Sequence, residues 1–179
     1  MTGALLTTPR LMLRRVEPDD AGPLAALLAG DSAGIAMTAR IPDPATEEGT
    51  REWIDGVLRD GGHAFTIIHR DGGQPLGVAG WMGCDSPADS MPEIGYWIAR
   101  AHRRRGFGRE AVAGVLAHLA QNGARGAVAE VFLDNAASLA LLLRLGFRAS
   151  GLVERDLPLR GGLRRLQRLV IDGPPFAVT

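Results

Sequence analysis

The most chemically loaded stretch of the chain is Arg103-Arg104-Arg105-Gly106-Phe107-Gly108-Arg109. It lies between a strand-like apolar run over residues 93–99 and the start of a long helical pattern. Glycines let the backbone approach a ligand with no side chain in the way. A helix start carries N–H groups without intrahelical partners and the positive end of the helix dipole. Guanidinium groups beside it add charge-assisted hydrogen bonds. Together these make a cradle for an anion, and the natural ligand is a phosphate or pyrophosphate. Two other readings fit the same residues. One is a glycine-containing turn with a solvated arginine patch. The other is a dinucleotide fingerprint, since Gly106-x-Gly108-x-x-Ala111 satisfies the loose G-x-G-x-x-G/A pattern and Glu130 follows at about the required distance. Against that fingerprint, residues 101–105 separate the strand from the first glycine, and Glu130 falls inside its own strand. The chain remaining after the motif is also too short for a doubly wound sheet.

Composition excludes much other chemistry. All 20 cations are arginine, so a Walker-type phosphate loop and a lysine Schiff base are ruled out. The single cysteine, Cys84, excludes an intramolecular disulfide framework and a cysteine-rich metal site, and reads as a small buried hydrophobe. His63, His69, His102 and His118 lack ligand-like spacing, so no metal is expected. Twenty acidic residues balance the arginines to a net charge of zero, which argues against a nucleic-acid or anionic-membrane partner. No apolar run reaches the ~18 residues of a membrane span. The opening residues are too weakly apolar for a signal peptide. The expectation is a cytoplasmic protein, with a hydrophobic content of 46% that is ample for a core in one domain over residues 1–179.

The elements that must position the arginine-glycine loop follow from periodicity. Leu11, Leu13 and Val16 read as a strand, and Ala21, Leu24, Leu27 and Leu28 as a helix after Pro18-Asp19-Asp20. Residues 30–45 read as irregular, and Thr46-Glu47-Glu48 opens a second helix stopped by Gly61-Gly62. Strands are expected over 64–68, 76–84 and 93–99, the first two joined by the turn signal Asp71-Gly72-Gly73. Gly77, Gly80 and Gly83 point to bulges or a close-packed neighbour in the second. The long helix ends near Asn122-Gly123, a strand follows over 127–133, and a helix runs from Asn135 to Leu145. Residues 147–157 and 163–171 read as a last strand pair, although Leu163, Leu166 and Leu169 repeat every three. The class is mixed α/β. Trp53, Trp81 and Trp97 read as core or pocket lining, and Arg160, Arg164, Arg165 and Arg168 as a solvated strand face, the alternative being a face for an acidic acceptor or an RNA surface.

Arg103-x-x-Gly106-x-Gly108 between strand and helix resembles the acetyl-CoA pyrophosphate motif of the Gcn5-related N-acetyltransferases (GNAT). Thr8-Pro9-Arg10-Leu11-x-Leu13-Arg14, Ile41-Pro42-x-Pro44-Ala45-Thr46, Glu93-Ile94-Gly95-Tyr96-Trp97 and Asn135-x-x-Ser138 through Leu145-Gly146-Phe147 are similar to the RimJ/RimL-type subgroup that acetylates ribosomal-protein N-termini. The resemblance covers nearly the whole chain. It implies a single-domain fold whose central, mostly antiparallel sheet splays between the strands at 93–99 and 127–133, flanked by helices. It also implies acetyl-CoA as co-substrate and direct attack by a primary amine. A protein or peptide N-terminal amine is favoured, and a small-molecule amine is the other acceptor class.

The resemblance further implies a set of site residues. Backbone amides around Arg103, Arg104, Arg105, Gly106, Phe107, Gly108 and Arg109 would hold the pyrophosphate. Backbone groups of Trp97, Ile98 and Ala99 would pair with the pantetheine arm, and Asn135 and Ser138 would touch it. Glu93 would be the general base. The family's usual tyrosine acid falls at Leu142, so that role is either missing or passes to Ser138. Asn135 reads equally as a helix N-cap. A homodimer is among the expectations. The Leu142 departure sustains one rival from another class, a non-catalytic acyl-CoA-binding sensor or interaction module on the same fold.

Overall fold

The computed structural model describes residues 4–83 and 91–172. Cys84 and most of the polar loop expected over residues 85–92 lie outside the described residues. In chain order the elements are β1 (Ala4–Thr7), β2 (Leu11–Arg15), α1 (Ala21–Leu28), α2 (Ser32–Ile35), α3 (Glu47–Arg59), β3 (His63–His69), β4 (Pro75–Met82) and β5 (Glu93–Ile98). There follow α4 (Phe107–Gln121), β6 (Gly126–Phe132), α5 (Ala136–Arg144), β7 (Arg148–Leu157) and β8 (Gly162–Asp172). The eight strands form one sheet in the order β1-β2-β3-β4-β5-β6-β8-β7. β5 and β6 run parallel, and every other neighbouring pair is antiparallel. This topology removes the dinucleotide reading, which needs a parallel sheet.

Side-chain alternation along the strands sends apolar groups to both faces of the sheet. One face packs Ile94 and Ile98 with Phe107, Val112, Val115 and Leu116 of α4 and Leu142 of α5. The other packs Val78, Trp97 and Ala99 against Leu24 and Leu28 of α1 and Ile54 of α3. The mixed sheet with helices on both faces is the expected class. Two elements go beyond the sequence reading. β1 comes from residues read only as a weakly apolar start, and α2 is a single turn within the segment expected to be irregular. Residues 162–172 are strand despite their three-residue leucine repeat, because β6 and β7 hydrogen-bond both edges of β8.

Local signals explain the element ends near the site. The Thr46 side chain accepts from Gly49 N–H and caps α3, and Asn135 accepts from Ser138 N–H at 3.1 Å and caps α5. In β4, a Cβ at Gly77 would overlap the Trp97 carbonyl, and one at Gly80 the His63 carbonyl. The glycines there permit close strand approach, as their spacing predicts.

Candidate active site

β5 and β6 touch at one end only. Their sole register pair is Glu93↔Val128, where Val128 N–H donates to the Pro92 carbonyl at 2.9 Å. Beyond it the strands part, and a cavity of about 1140 Å³ opens between them. The cause lies in the packing on the other side of β5. Its whole length, from Glu93 to Ile98, is paired with β4, so β5 follows β4 while β6 follows β8.

Backbone groups alternate sides along a strand. Ala99 N–H donates to the Leu76 carbonyl at 2.8 Å, its carbonyl accepts from His102 N–H at 2.8 Å, and Trp97 pairs with Val78, so the backbone groups of Trp97 and Ala99 are engaged away from the cleft. The expectation that these two face a ligand is corrected. The groups turned toward the cleft are those of Tyr96 and Ile98. The Ile98 carbonyl is occupied by Arg103 Nε at 2.8 Å, which leaves the Ile98 N–H and both backbone groups of Tyr96 as an open strand edge.

At the wide end of the cleft stands the loop before α4. Gly106 is left-handed (φ 82°), and Arg104 also has positive φ (60°), an uncommon conformation for a residue with a side chain. The first intrahelical bond of α4 runs from Glu110 N–H to the Gly106 carbonyl, so the N–H groups of residues 106–109 lack intrahelical partners. A Cβ at Gly108 would press on Leu141 and Ile98 at 3.2 and 3.4 Å, so glycine is what lets α4 start tight against β5. A glycine-lined turn, free first-turn amides and an open strand edge suit a pyrophosphate joined to an amide-bearing arm, which is the chemistry of coenzyme A.

The expected site residues divide by position. Glu93, Trp97, Ile98, Arg103, Arg104 and Gly106 line the cavity, as do Gly108, Arg109, Asn135 and Ser138. Ala99, Arg105 and Phe107 do not. Phe107 is buried in the core, and the Arg105 guanidinium sits 5.1 Å from the centre of its ring. Arg103 lines the cavity, but its guanidinium is committed to a salt bridge with Asp31, whose side chain is 5% exposed. The three tryptophans all line the cavity.

The sequence reading missed Tyr96. Its hydroxyl is 2.8 Å from Ser138 Oγ, inside the cleft. Burial pushes its pKa up to about 12, against the opposing effect of the Ser138 hydrogen bond, so the phenol keeps its proton at neutral pH. Leu142, the position of the family's usual tyrosine, is 0% exposed in the core. The signal for Tyr96 was available in the alternation of Ile94, Tyr96 and Ile98, which sends one polar side chain to the face carrying α5.

Glu93 and Glu130 line the cavity at its opposite, narrow end, where β5 and β6 meet. Glu130 is held by Arg155 through two bonds (Nε at 2.8 Å, Nη2 at 2.5 Å) and by Arg168 at 3.2 Å. Among the described residues Glu93 makes no such pair. Burial raises its pKa first and the Glu130 charge second, while Arg40, Arg155 and Arg168 pull it down, and the balance lies above its ordinary value. Arg160 and Arg168 were expected on a solvated face; instead Arg168 serves Glu130, and Arg160 is partly buried. Arg160 donates to the carbonyls of Ile35 at 2.8 Å, Thr38 at 2.6 Å and Ile41 at 2.5 Å. It thereby ties the β7–β8 turn to the 33–41 segment that walls the cavity.

Comparison with known proteins agrees with this geometry. Solved structures under 25% identical to the chain share its fold. The apo form of RimL, described as a ribosomal L7/L12 alpha-N-protein acetyltransferase, superposes with a TM-score of 0.83 at 21% identity over 97% of this chain and 96% of that one. Mycobacterium smegmatis RimJ, in complex with a CoA-disulfide, superposes with a TM-score of 0.76 at 21% identity over 91% and 82%. The uncharacterized N-acetyltransferase YoaA of Bacillus subtilis (strain 168) is 29% identical over 156 residues, 84% of this chain and 86% of its own length. The sequence pattern of the Acetyltransferase (GNAT) domain matches residues 10–148, from β2 to the start of β7. With that match across most of its length, the chain belongs to the GNAT acetyltransferases, enzymes that transfer an acetyl group from acetyl-CoA to an amine.

Proposed function

We propose that this acetyltransferase acts on the N-terminal α-amine of a protein or peptide. The observation that carries the reading is the division of the cleft. An anion cradle and the Tyr96–Ser138 pair lie toward α4 and α5, and Glu93, a carboxylate with no ion pair among the described residues, lies at the narrow end where β5 meets β6. The amide N–H groups of residues 106–109 bind the pyrophosphate, assisted by Arg104 and Arg109. The strand edge at Tyr96 and Ile98 holds the pantetheine arm, and an N–H on that edge polarises the thioester carbonyl. Glu93, directly or through one water, takes the proton of the acceptor ammonium. The neutral amine attacks the thioester carbon, the C–N bond forms and the C–S bond breaks. Ser138 then gives its proton to the leaving sulfur and is re-protonated from Tyr96, whose high pKa keeps it a neutral donor. The second proton, shed by the attacking nitrogen as it becomes the amide, returns through water to Tyr96, and Glu93 releases the first to solvent.

The α-amine fits the modest apparatus for proton removal. At pH 7, neutralising an α-amine costs about 1.4 kcal/mol, whereas neutralising a lysine amine costs about 4.6 kcal/mol. One raised-pKa carboxylate suffices for the first. Among the described residues the Trp97 indole N–H is buried without a hydrogen-bond partner; Trp97 lines the cavity, and a peptide carbonyl of the acceptor would supply one. RimL, an alpha-N-protein acetyltransferase of the same fold, supports the same acceptor class.

The test is free-thiol release from acetyl-CoA with a panel of acceptors. The reading predicts release with peptides bearing a free N-terminus and none with the same peptides blocked at the N-terminus but carrying lysine. Release only with polyamines or free amino acids would overturn it in favour of a small-molecule acceptor.

A further inference from the structure

The turn between β1 and β2 is bolted to the first turn of α4. Thr8 Oγ donates to Glu110 Oε1 at 2.6 Å, Arg10 N–H donates to the same oxygen at 2.8 Å, and Arg10 Nε donates to Oε2 at 2.7 Å. The turn itself is closed by Leu11 N–H donating to Thr8 Oγ at 3.0 Å. Arg10 then reaches past Glu110. Its Nη1 donates to the carbonyl of Arg105 at 3.1 Å, and its guanidinium lies 4.5 Å from the centre of the Phe107 ring. These residues are about a hundred positions apart in sequence, and none of them lines the cleft.

The Arg105 carbonyl belongs to the same peptide unit as the Gly106 N–H, and in a trans peptide the two point in opposite directions. Fixing the carbonyl on the Arg10 side therefore aims the N–H away from it, and Gly106 lines the cavity. Gly106 has no Cβ to hold its own conformation, so this peptide is the one in the loop most free to flip. A flipped peptide would turn a carbonyl oxygen on the anion instead of an N–H. We propose that Thr8, Arg10 and Glu110 act as a clamp that holds the 105–106 peptide in its anion-binding orientation, with Arg10 as the positioning residue. This rests on the reading of the loop as the acetyl-CoA pyrophosphate cradle. Glu110 suits the role because it remains charged: burial pushes its carboxyl up, but the bonds from Thr8 and Arg10 outweigh that and hold it below its ordinary value.

The test is calorimetric titration of acetyl-CoA into wild type, Arg10→Ala, Glu110→Gln, Thr8→Val and Thr8→Ser, with kinetics on each. The clamp predicts that Arg10→Ala and Glu110→Gln each weaken binding about tenfold or more, the scale of one lost charge-assisted hydrogen bond. The KM for acetyl-CoA should rise with them while kcat at saturation stays near wild type. Glu110→Gln decides between positioning and bulk charge, because removing a negative charge near a phosphate site would by itself tighten binding. Thr8→Val should weaken binding, and Thr8→Ser, which keeps the hydroxyl, should restore it; that pair decides the matter if Arg10→Ala does not fold. Unchanged or tighter binding in Glu110→Gln, or equal affinity in Thr8→Val and Thr8→Ser, would overturn the clamp. Absence of acetyl-CoA binding to the wild type would instead overturn the reading of the cradle itself.

Discussion

Replacing Glu93 with glutamine keeps the side chain's shape and removes its charge. If Glu93 serves only to take the ammonium proton, the loss is set by how scarce the neutral amine is. At pH 7 an α-amine is about one-tenth neutral, and a lysine amine less than about one-thousandth. For a peptide N-terminus, kcat/KM should therefore fall about tenfold to a hundredfold at pH 7, the low end of what general bases supply. The deficit should shrink as pH rises through the amine pKa of about 8 and be nearly gone by about pH 9. The affinity for acetyl-CoA should not change. The wild-type acid limb carries a second signature. Burial and the Glu130 charge raise the Glu93 pKa, so catalysis should be lost as pH falls through a value above its ordinary 4.5. Glu130→Gln removes a raising charge and frees Arg155 and Arg168, which lower it, so that limb should move to lower pH. The assay is the initial rate of thiol release from about pH 5 to about pH 9, with saturating acetyl-CoA and a peptide of free N-terminus. A wild-type to Glu93→Gln ratio that is flat with pH, or that stays near one throughout, would refute the assignment of Glu93 as base.

Other predictions follow from single contacts. Tyr96→Phe should lower kcat about tenfold or more with little change in acetyl-CoA KM. Ser138→Ala should also lower stability by about 1–3 kcal/mol in chemical denaturation, because it leaves the buried Tyr96 hydroxyl unpaired, and the double variant should recover part of that loss. Arg160→Ala frees the Ile35, Thr38 and Ile41 carbonyls that fix one wall of the cavity; assigning that wall to the acceptor predicts a several-fold rise in acceptor KM with acetyl-CoA affinity unchanged in titration, and a matching loss of acetyl-CoA affinity would overturn the assignment. Gly80→Ala should cost about 1–3 kcal/mol in thermal or denaturant unfolding, since its Cβ would overlap the His63 carbonyl of the neighbouring strand.

Much of the fold was legible because its signals are local. Thr46 before Glu47-Glu48, Asn135 before a leucine-rich run and the glycines after α3, α4 and α5 mark boundaries that capping physics requires. β1 was not legible, since its four residues are a strand only because β2 lies beside them. The three-residue leucine repeat of 163–169 left helix and strand both open until pairing on two edges decided it. In the site, the loop at 103–109 announced itself by glycine and arginine content alone. Which guanidinium does what did not: Arg103 turns to Asp31, Arg105 to the Phe107 ring and Arg160 to three backbone carbonyls. These partners lie far away in sequence, and a charge count treats all of the arginines alike. Tyr96 was passed over for the same reason, because Ser138 is 42 positions away. The parity of β5 settles which backbone edge is open, and reading it needed one observed bond, that of Ala99 to Leu76.

The central claim is that acetyl-CoA lies in the splay between β5 and β6, and a crystal structure of the enzyme grown with acetyl-CoA tests it most directly. The account predicts the pyrophosphate on the amides of residues 106–109, the pantetheine arm along Tyr96 and Ile98, and the sulfur within hydrogen-bond reach of Ser138. A cofactor bound elsewhere, or a sulfur remote from the Tyr96–Ser138 pair with Glu93 on the wrong side of the thioester, would contradict it.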